Sequence, residues 1–169
     1  MLARTRCYAL IGIKGEPVNV EAYVTSGSSF QFNIVGLPDM AVKESRERVG
    51  AALKNSGFVM PVGHTVVNLS PADLRKEGTA FDLPIAMAII LASRQIMAPP
   101  LDDTVLIGEL ALDGRLLPVN GALSMVISAH ERGFQKIILP RDNAKEVEVV
   151  SGMEVYPAGS LYEVVQHIA

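Results

Sequence analysis

The segment most informative about the fold reads Val67-Asn68-Leu69-Ser70-Pro71-Ala72-Asp73-Leu74-Arg75-Lys76-Glu77-Gly78-Thr79-Ala80-Phe81-Asp82-Leu83. It begins inside a β-branched strand predicted over Thr65–Leu69, which Ser70-Pro71 ends. Residues 74–79 are a polar loop that contains a glycine, and a mostly apolar, largely buried helix is predicted over Ala80–Ser93. A loop held between a strand and a buried helix is a frequent position for functional residues, so this segment is the first place to look for a site.

Upstream of this segment the pattern predicts strands and then one helix. Three short strands are expected to pair antiparallel: Thr5–Ile13, Val18–Thr25 and Phe30–Val35. The signal Gly15-Glu16-Pro17 predicts the turn between the first two. A helix over residues 40–55, followed by Gly57, links the strand at 30–35 to the strand at 65–69. This order is typical of a right-handed crossover.

Downstream of the segment, strands and helices alternate. A strand is predicted over Val105–Leu110, and Asp113-Gly114 is a hairpin turn signal. Ser160 and Glu163 have the spacing of a capping box at the start of the last helix. The other predicted elements are Leu123–Arg132 (helix), Lys136–Leu139 (strand), Ala144–Val150 (short helix), Met153–Tyr156 (strand) and Ser160–Ile168 (helix). A strand cluster followed by this alternation predicts an α+β fold, a mixed sheet packed with helices, in one domain over residues 1–169.

The composition excludes several classes of protein. Of the 169 residues, 49% are hydrophobic and 20% are charged, which indicates a packed core rather than a disordered chain. Fifteen basic against eighteen acidic side chains give a net charge of −3, so the chain as a whole is not built to coat nucleic acid. The single cysteine, Cys7, is consistent with a reducing cytosol. The longest apolar stretch, Leu83 to Ser93, is too short to cross a bilayer, so a cytoplasmic protein without membrane contact is expected.

Cofactor and metal sites are not indicated by the motifs of this chain. The sequence contains neither a phosphate-binding P-loop nor the Gly-x-Gly-x-x-Gly pattern of dinucleotide sites. The three histidines, His64, His130 and His167, have no Cys or His at metal-ligand spacing. We therefore expect no cofactor and no metal in these residues.

Two stretches resemble the protease domain of Lon-type proteases. Lys76-Glu77-Gly78-Thr79-Ala80 is similar to the Lys-Asp-Gly-Pro-Ser loop that carries the Lon nucleophile. The stretch 108–121 is similar to the one that precedes the Lon catalytic lysine. The resemblance covers about the last hundred residues and implies a Lon-like fold.

The same resemblance places Ala80 at the serine position and Leu123 at the lysine position. A Ser–Lys dyad needs a hydroxyl and an amine that can take its proton, and neither side chain supplies one. Thr79 and Ser124 each lie one position away. A residual Lon-like Ser/Lys hydrolase is therefore the least favoured function, and no catalytic residue is expected.

Two longer motifs resemble the Mg-chelatase-like AAA+ ATPases of the ComM/YifB family. They are Gly36-Leu37-Pro38-Asp39-Met40-Ala41-Val42-Lys43-Glu44-Ser45-Arg46-Glu47-Arg48-Val49 and the stretch from Val67 to Gly78. This resemblance implies a ribosomal-protein-S5-domain-2-like fold for residues 1–169, as the N-terminal ChlI-type domain of a longer protein. It further implies an AAA+ domain after residue 169 that uses ATP and Mg. The complete protein is then expected to be a hexameric DNA branch-migration motor in natural transformation and recombination.

Within that family the chain itself is expected to be a non-catalytic module. The candidate contacts to DNA, to the AAA+ core or to a partner are the basic side chains Lys43, Arg46, Arg48, Arg75 and Lys76. An alternative interpretation applies to the candidates on the predicted helix. It is a solvated helix face on which Glu44 pairs with Arg48 and Glu47 pairs with Lys43. A structural module that supports ring assembly is the other hypothesis.

Overall fold

The structure, a computed structural model, describes residues Met1–Ala169. Its nine strands are β1 (Leu2–Ile11), β2 (Lys14–Ser26), β3 (Gln31–Val35), β4 (Gly63–Ser70), β5 (Thr104–Leu106), β6 (Glu109–Leu110), β7 (Leu116–Leu117), β8 (Lys136–Pro140) and β9 (Glu154–Ala158). Its helices are α1 (Met40–Lys43), α2 (Ser45–Asn55), α3 (Asp82–Ala92), α4 (Ala122–Glu131), α5 (Ala144–Val147) and α6 (Leu161–Ile168). No helix combines the length and the apolarity that a transmembrane helix requires.

Seven strands form one mixed sheet in the order β3-β4-β2-β1-β5-β8-β9. The two central pairings, β1 with β2 and β2 with β4, are antiparallel. The pairings toward both edges are parallel, because helical connections return the chain in the same direction. The strands β6 and β7 form a separate small hairpin. The predicted α+β fold, a mixed sheet packed with helices, is confirmed.

The core lies between the sheet and the helix α3. Ten of the eleven residues of α3 are buried, as the nearly continuous apolar sequence of this helix predicts. The side chains of Val18, Val20 and Val67 on the central strands are also fully buried. On β2 the alternate residues Asn19, Glu21 and Tyr23 keep more exposure, which is the alternation of a sheet with one solvated face.

Two predictions about the first strands are wrong. The strand at 30–35 does not pair antiparallel with its predecessor. As β3 it pairs parallel with β4 at the edge of the sheet, because the crossover through α1 and α2 restores the strand direction. The first turn lies at Gly12, where φ is +61°, and not at residues 15–17. Pro17 is tolerated inside β2 because β2 pairs there with β1 alone; the pairing with β4 begins two residues later, at Asn19.

Two predicted elements are divided in the structure. The helix at 40–55 is broken at Glu44 into α1 and α2. The strand at 105–110 divides into β5, which joins the large sheet, and β6, which forms the hairpin whose turn contains Asp113-Gly114 as predicted. Ser160 caps α6 as predicted, since its Oγ accepts from the Glu163 N–H at 3.1 Å. The Glu163 carboxylate, however, accepts from the Gly159 N–H at 2.8 Å rather than from Ser160.

Candidate functional site

The two motif stretches fold against each other and form one unit. The Asp39 N–H donates to the Lys76 carbonyl at 2.9 Å, and the Lys76 N–H donates to the Leu37 carbonyl at 3.0 Å. The Asp39 carboxylate caps α1 by accepting from the Val42 N–H at 2.8 Å, and it also accepts from the Gly78 N–H at 3.3 Å. One aspartate thus fixes both the start of α1 and the loop that precedes α3.

This unit requires a glycine at position 36. Its φ is +106°, a region that residues with a side chain rarely adopt. A Cβ on Gly36 would lie 2.0 Å from the Leu69 carbonyl oxygen, so the two backbones can approach only because no side chain is present. The glycine of this motif is therefore required by the geometry of the backbone.

Lys76 lies inside the unit rather than on the surface. The residue is fully buried, and its Nζ donates to the carbonyl of Gly36, at 2.6 Å, and to the carbonyl of Pro71. Burial lowers the pKa of Lys76 from its usual value, and the nearby Asp73 carboxylate opposes that shift. The expected contact of Lys76 with DNA or a partner is corrected here. Its ammonium ties together the two loops and is not available to a ligand.

Arg48 is also directed inward, toward Asp82 at the first turn of α3. Arg48 Nε lies 2.7 Å from Asp82 Oδ2 and Nη2 lies 3.2 Å from Oδ1, so the contact is bidentate. The Ser45 Oγ donates to Oδ1 at 2.5 Å and the Leu110 N–H donates to Oδ2 at 3.0 Å. The Asp82 side chain is fully buried and that of Arg48 is only 18% exposed. The surface role expected of Arg48 is therefore corrected as well.

The buried ion pair Arg48–Asp82 joins three parts of the fold: α2, α3 and the hairpin strand β6. Burial raises the pKa of Asp82, and the hydrogen bonds from Arg48, Ser45 and the Leu110 N–H oppose that rise. Asp82 was not among the predicted site residues, although the sequence contains a signal for it. An acidic residue at the start of an otherwise apolar helix is seldom buried unless it is paired.

The other three basic candidates are exposed. Neither Lys43 nor Arg46 forms an ion pair, whereas Arg75 Nε lies 3.1 Å from Glu77 Oε1 on the surface. Of the alternative interpretation, the solvated face is present, since Glu44 and Glu47 are also exposed, but neither of its two ion pairs is formed. Arg48 is held by Asp82 instead of Glu44. The structure therefore leaves Lys43 and Arg46 exposed and without an ion pair, whereas Arg75 is exposed and paired with Glu77.

The position of the Lon serine lies at a cavity of about 460 Å³. Ala80 lines it together with Thr79, Asn120 and Met125, and its methyl group supplies no hydroxyl. Leu123 is half-buried on α4 and does not line this cavity. Ser124 lines a different groove, beside Lys14 and Glu16. Thr79 and Ser124 therefore line different cavities.

Comparison with known proteins gives a consistent set of relatives. The family model described as subunit ChlI of Mg-chelatase matches residues 20–143. The uncharacterized protein YifB of Escherichia coli K12 is 44% identical over 144 residues, which cover 85% of this chain and 28% of that protein. The competence protein ComM of Haemophilus influenzae is 39% identical over 160 residues, which cover 95% of this chain and 31% of that protein.

A more distant likeness is to the Lon protease of Brevibacillus choshinensis, 27% identical over 165 residues, which cover 90% of this chain and 21% of that protein. The chain spans less than a third of the length of the curated relatives it matches.

Proposed function

Because the chain belongs to the family of subunit ChlI of Mg-chelatase, we propose that it is a non-catalytic binding module of a ComM/YifB-type AAA+ ATPase. In this proposal the complete protein is a cytoplasmic hexamer that uses ATP and Mg and drives branch migration of DNA. The module contacts DNA, next to its own AAA+ domain, through Lys43, Arg46 and Arg75. The likeness to ComM, a competence protein, over 95% of the chain supports this choice.

The observation that carries the DNA contact is the unpaired positive charge where α1 ends and α2 begins. Lys43 and Arg46 are exposed and form no ion pair, so their charges are not neutralised within the chain. The hydrogen bonds between the segment 37–39 and Lys76 bring the loop with Arg75 alongside the segment that leads into α1. Phosphate groups are the natural ligands of such exposed cations, and their binding depends on salt.

A fluorescence anisotropy titration with a single-stranded oligonucleotide at low and at high salt tests the proposal. We expect binding that weakens steeply with salt, and further weakening in the variants Lys43→Glu and Arg46→Glu. The matched control is Lys54→Glu, which makes the same charge change at the exposed far end of α2. The DNA contact is excluded if the chain shows no salt-dependent binding, or if the control weakens binding as much as the two variants do.

A further inference from the structure

The strand β3 is an edge of the large sheet, with no further strand on its outer side. It pairs with β4 on one side, and no strand of the chain follows it on the other. The opposite edge, β9, contains Pro157, which removes a backbone donor and is a common protection against further pairing. The five residues of β3, Gln31–Val35, contain neither proline nor a charged residue. Of the two edges, β3 is the one suited to accept another strand.

A groove of about 350 Å³ runs between this edge and the helix α2. It is lined by Phe30, Phe32, Arg46, Glu47, Gly50 and Met60. Gly50 leaves the helix side open, since a Cβ there would meet no atom within 4 Å. Phe30 is 58% exposed at the end of the strand. An added strand would therefore find both a backbone edge and an apolar groove for its side chains.

We propose that the occupant is a second copy of this chain, with the two β3 strands paired antiparallel about a two-fold axis at Asn33. In this register Phe32 lies opposite Ile34 of the partner copy, and Asn33 lies opposite Asn33 of the partner copy. Phe32 and Ile34 are the inward residues of β3, and Asn33 is exposed on the solvated face. The register thus pairs Phe32 with Ile34 on the inward face and Asn33 with Asn33 on the solvated face.

Charge complementarity favours a second copy over an unrelated peptide. Arg46 and Glu47 lie side by side at the groove, have opposite charge, and form no ion pair within the chain. In the proposed dimer the two-fold axis brings the groove face of one copy against that of the other, with Arg46 of one copy placed opposite Glu47 of the other. Arg46 Nη1 now donates to the Phe32 carbonyl at 3.4 Å, a long hydrogen bond that an exposed side chain gives up easily.

This interface goes beyond the proposed DNA contact and does not depend on it; because Arg46 belongs to both proposals, the two are distinguished with variants at other residues. A two-fold contact joins copies in pairs and does not by itself close a ring. Because β3 is short, we expect weak association that depends on protein concentration.

Sedimentation velocity over a concentration series of the 169-residue chain tests the interface. We expect a reversible monomer–dimer equilibrium. The variants Asn33→Asp and Asn33→Lys each place two like charges opposite each other at the axis, so each is expected to remain monomeric where the unchanged chain is dimeric. An equimolar mixture of the two is expected to dimerise again, because the opposed charges are then of opposite sign.

Two controls separate the interface from other effects. Glu154→Lys changes an exposed charge on the other edge strand, β9, and is expected to leave the equilibrium unchanged. Thermal melting by circular dichroism checks that each Asn33 variant is folded, and recovery in the mixture cannot come from unfolded chains. A chain that stays monomeric at every concentration overturns the proposal, as do variants that dimerise unchanged or a mixture that stays monomeric. DNA affinity is measured separately on Lys43→Glu, which does not line the groove.

Discussion

Arg46 and Arg48 lie two residues apart on α2 and have opposite surroundings. Arg48 reaches the fully buried carboxylate of Asp82, while Arg46 is exposed and forms no ion pair. The same contrast recurs in the loop before α3, where Lys76 is buried and its neighbour Arg75 is exposed. In each motif one cation is buried and holds the fold together, and the other is exposed at the surface. Residue type alone does not separate the two roles.

The largest predicted difference in the free energy of unfolding is between substitutions of the two arginines. Arg48→Met leaves Asp82 as an unpaired buried charge and is expected to lower the free energy of unfolding by about 3–5 kcal/mol. Arg46→Met removes an exposed side chain and is expected to change it by less than about 0.5 kcal/mol. Urea denaturation of both variants measures the difference. Equal losses of stability would contradict the separation into a structural and a free arginine.

The next effect concerns the two cations of the loop. Lys76→Met leaves the carbonyls of Gly36 and Pro71 without their donor, and a loss of about 1–3 kcal/mol is expected. Arg75→Met, one residue earlier, is the matched control and should change the free energy of unfolding by less than about 0.5 kcal/mol. Chemical denaturation at neutral pH is the measurement. A stable Lys76→Met protein would show that the ammonium does not hold the loops.

Lys76 also predicts a pH dependence whose sign follows from its burial. Its pKa in the folded chain lies below 10.5, the ordinary value, so the folded chain releases this proton more readily than the unfolded chain does. The stability of the unchanged chain relative to Lys76→Met should therefore rise as the pH increases through the lowered pKa toward 10.5. Denaturation curves of both proteins at several alkaline pH values check this. A difference that falls with pH would contradict the assignment.

The smallest effect is expected at the surface pair between Arg75 and Glu77. Both side chains are more than half exposed, so solvent and salt screen their attraction. Glu77→Gln should cost at most about 1 kcal/mol, and the loss should shrink as salt is added. Thermal melting at two salt concentrations measures it. A large loss that salt does not affect would mean that this pair shares the structural role of Lys76.

Much of the local structure could be predicted because it depends on neighbours in the sequence. The turn at Asp113-Gly114 and the capping Ser160 act within a few residues, so their patterns suffice. The apolar run of α3 likewise predicted a buried helix. The partner and direction of β3 could not be read in the same way, because strand pairing joins residues that lie far apart in the chain.

In the candidate site, too, the residues of the motifs could be predicted from the sequence but their contacts could not. The motif residues Gly36, Asp39 and Lys76 were recognisable, but their contacts cross between two loops that are separated by more than thirty positions. Asp82 was missed because its role depends on Arg48, which lies 34 residues earlier. Burial, and therefore the choice between a structural and a binding cation, is a property of the packed fold.

By itself the sequence determined the family resemblance, the α+β class and the replacement of both Lon dyad positions by apolar residues. These rest on residue identity and local pattern, which need no knowledge of packing. Only the tertiary structure decided which of the five basic candidates are exposed and which strands form the edges of the sheet. The physical reason is that a charge or a backbone edge becomes available or unavailable through its distant neighbours, which only the folded chain brings together.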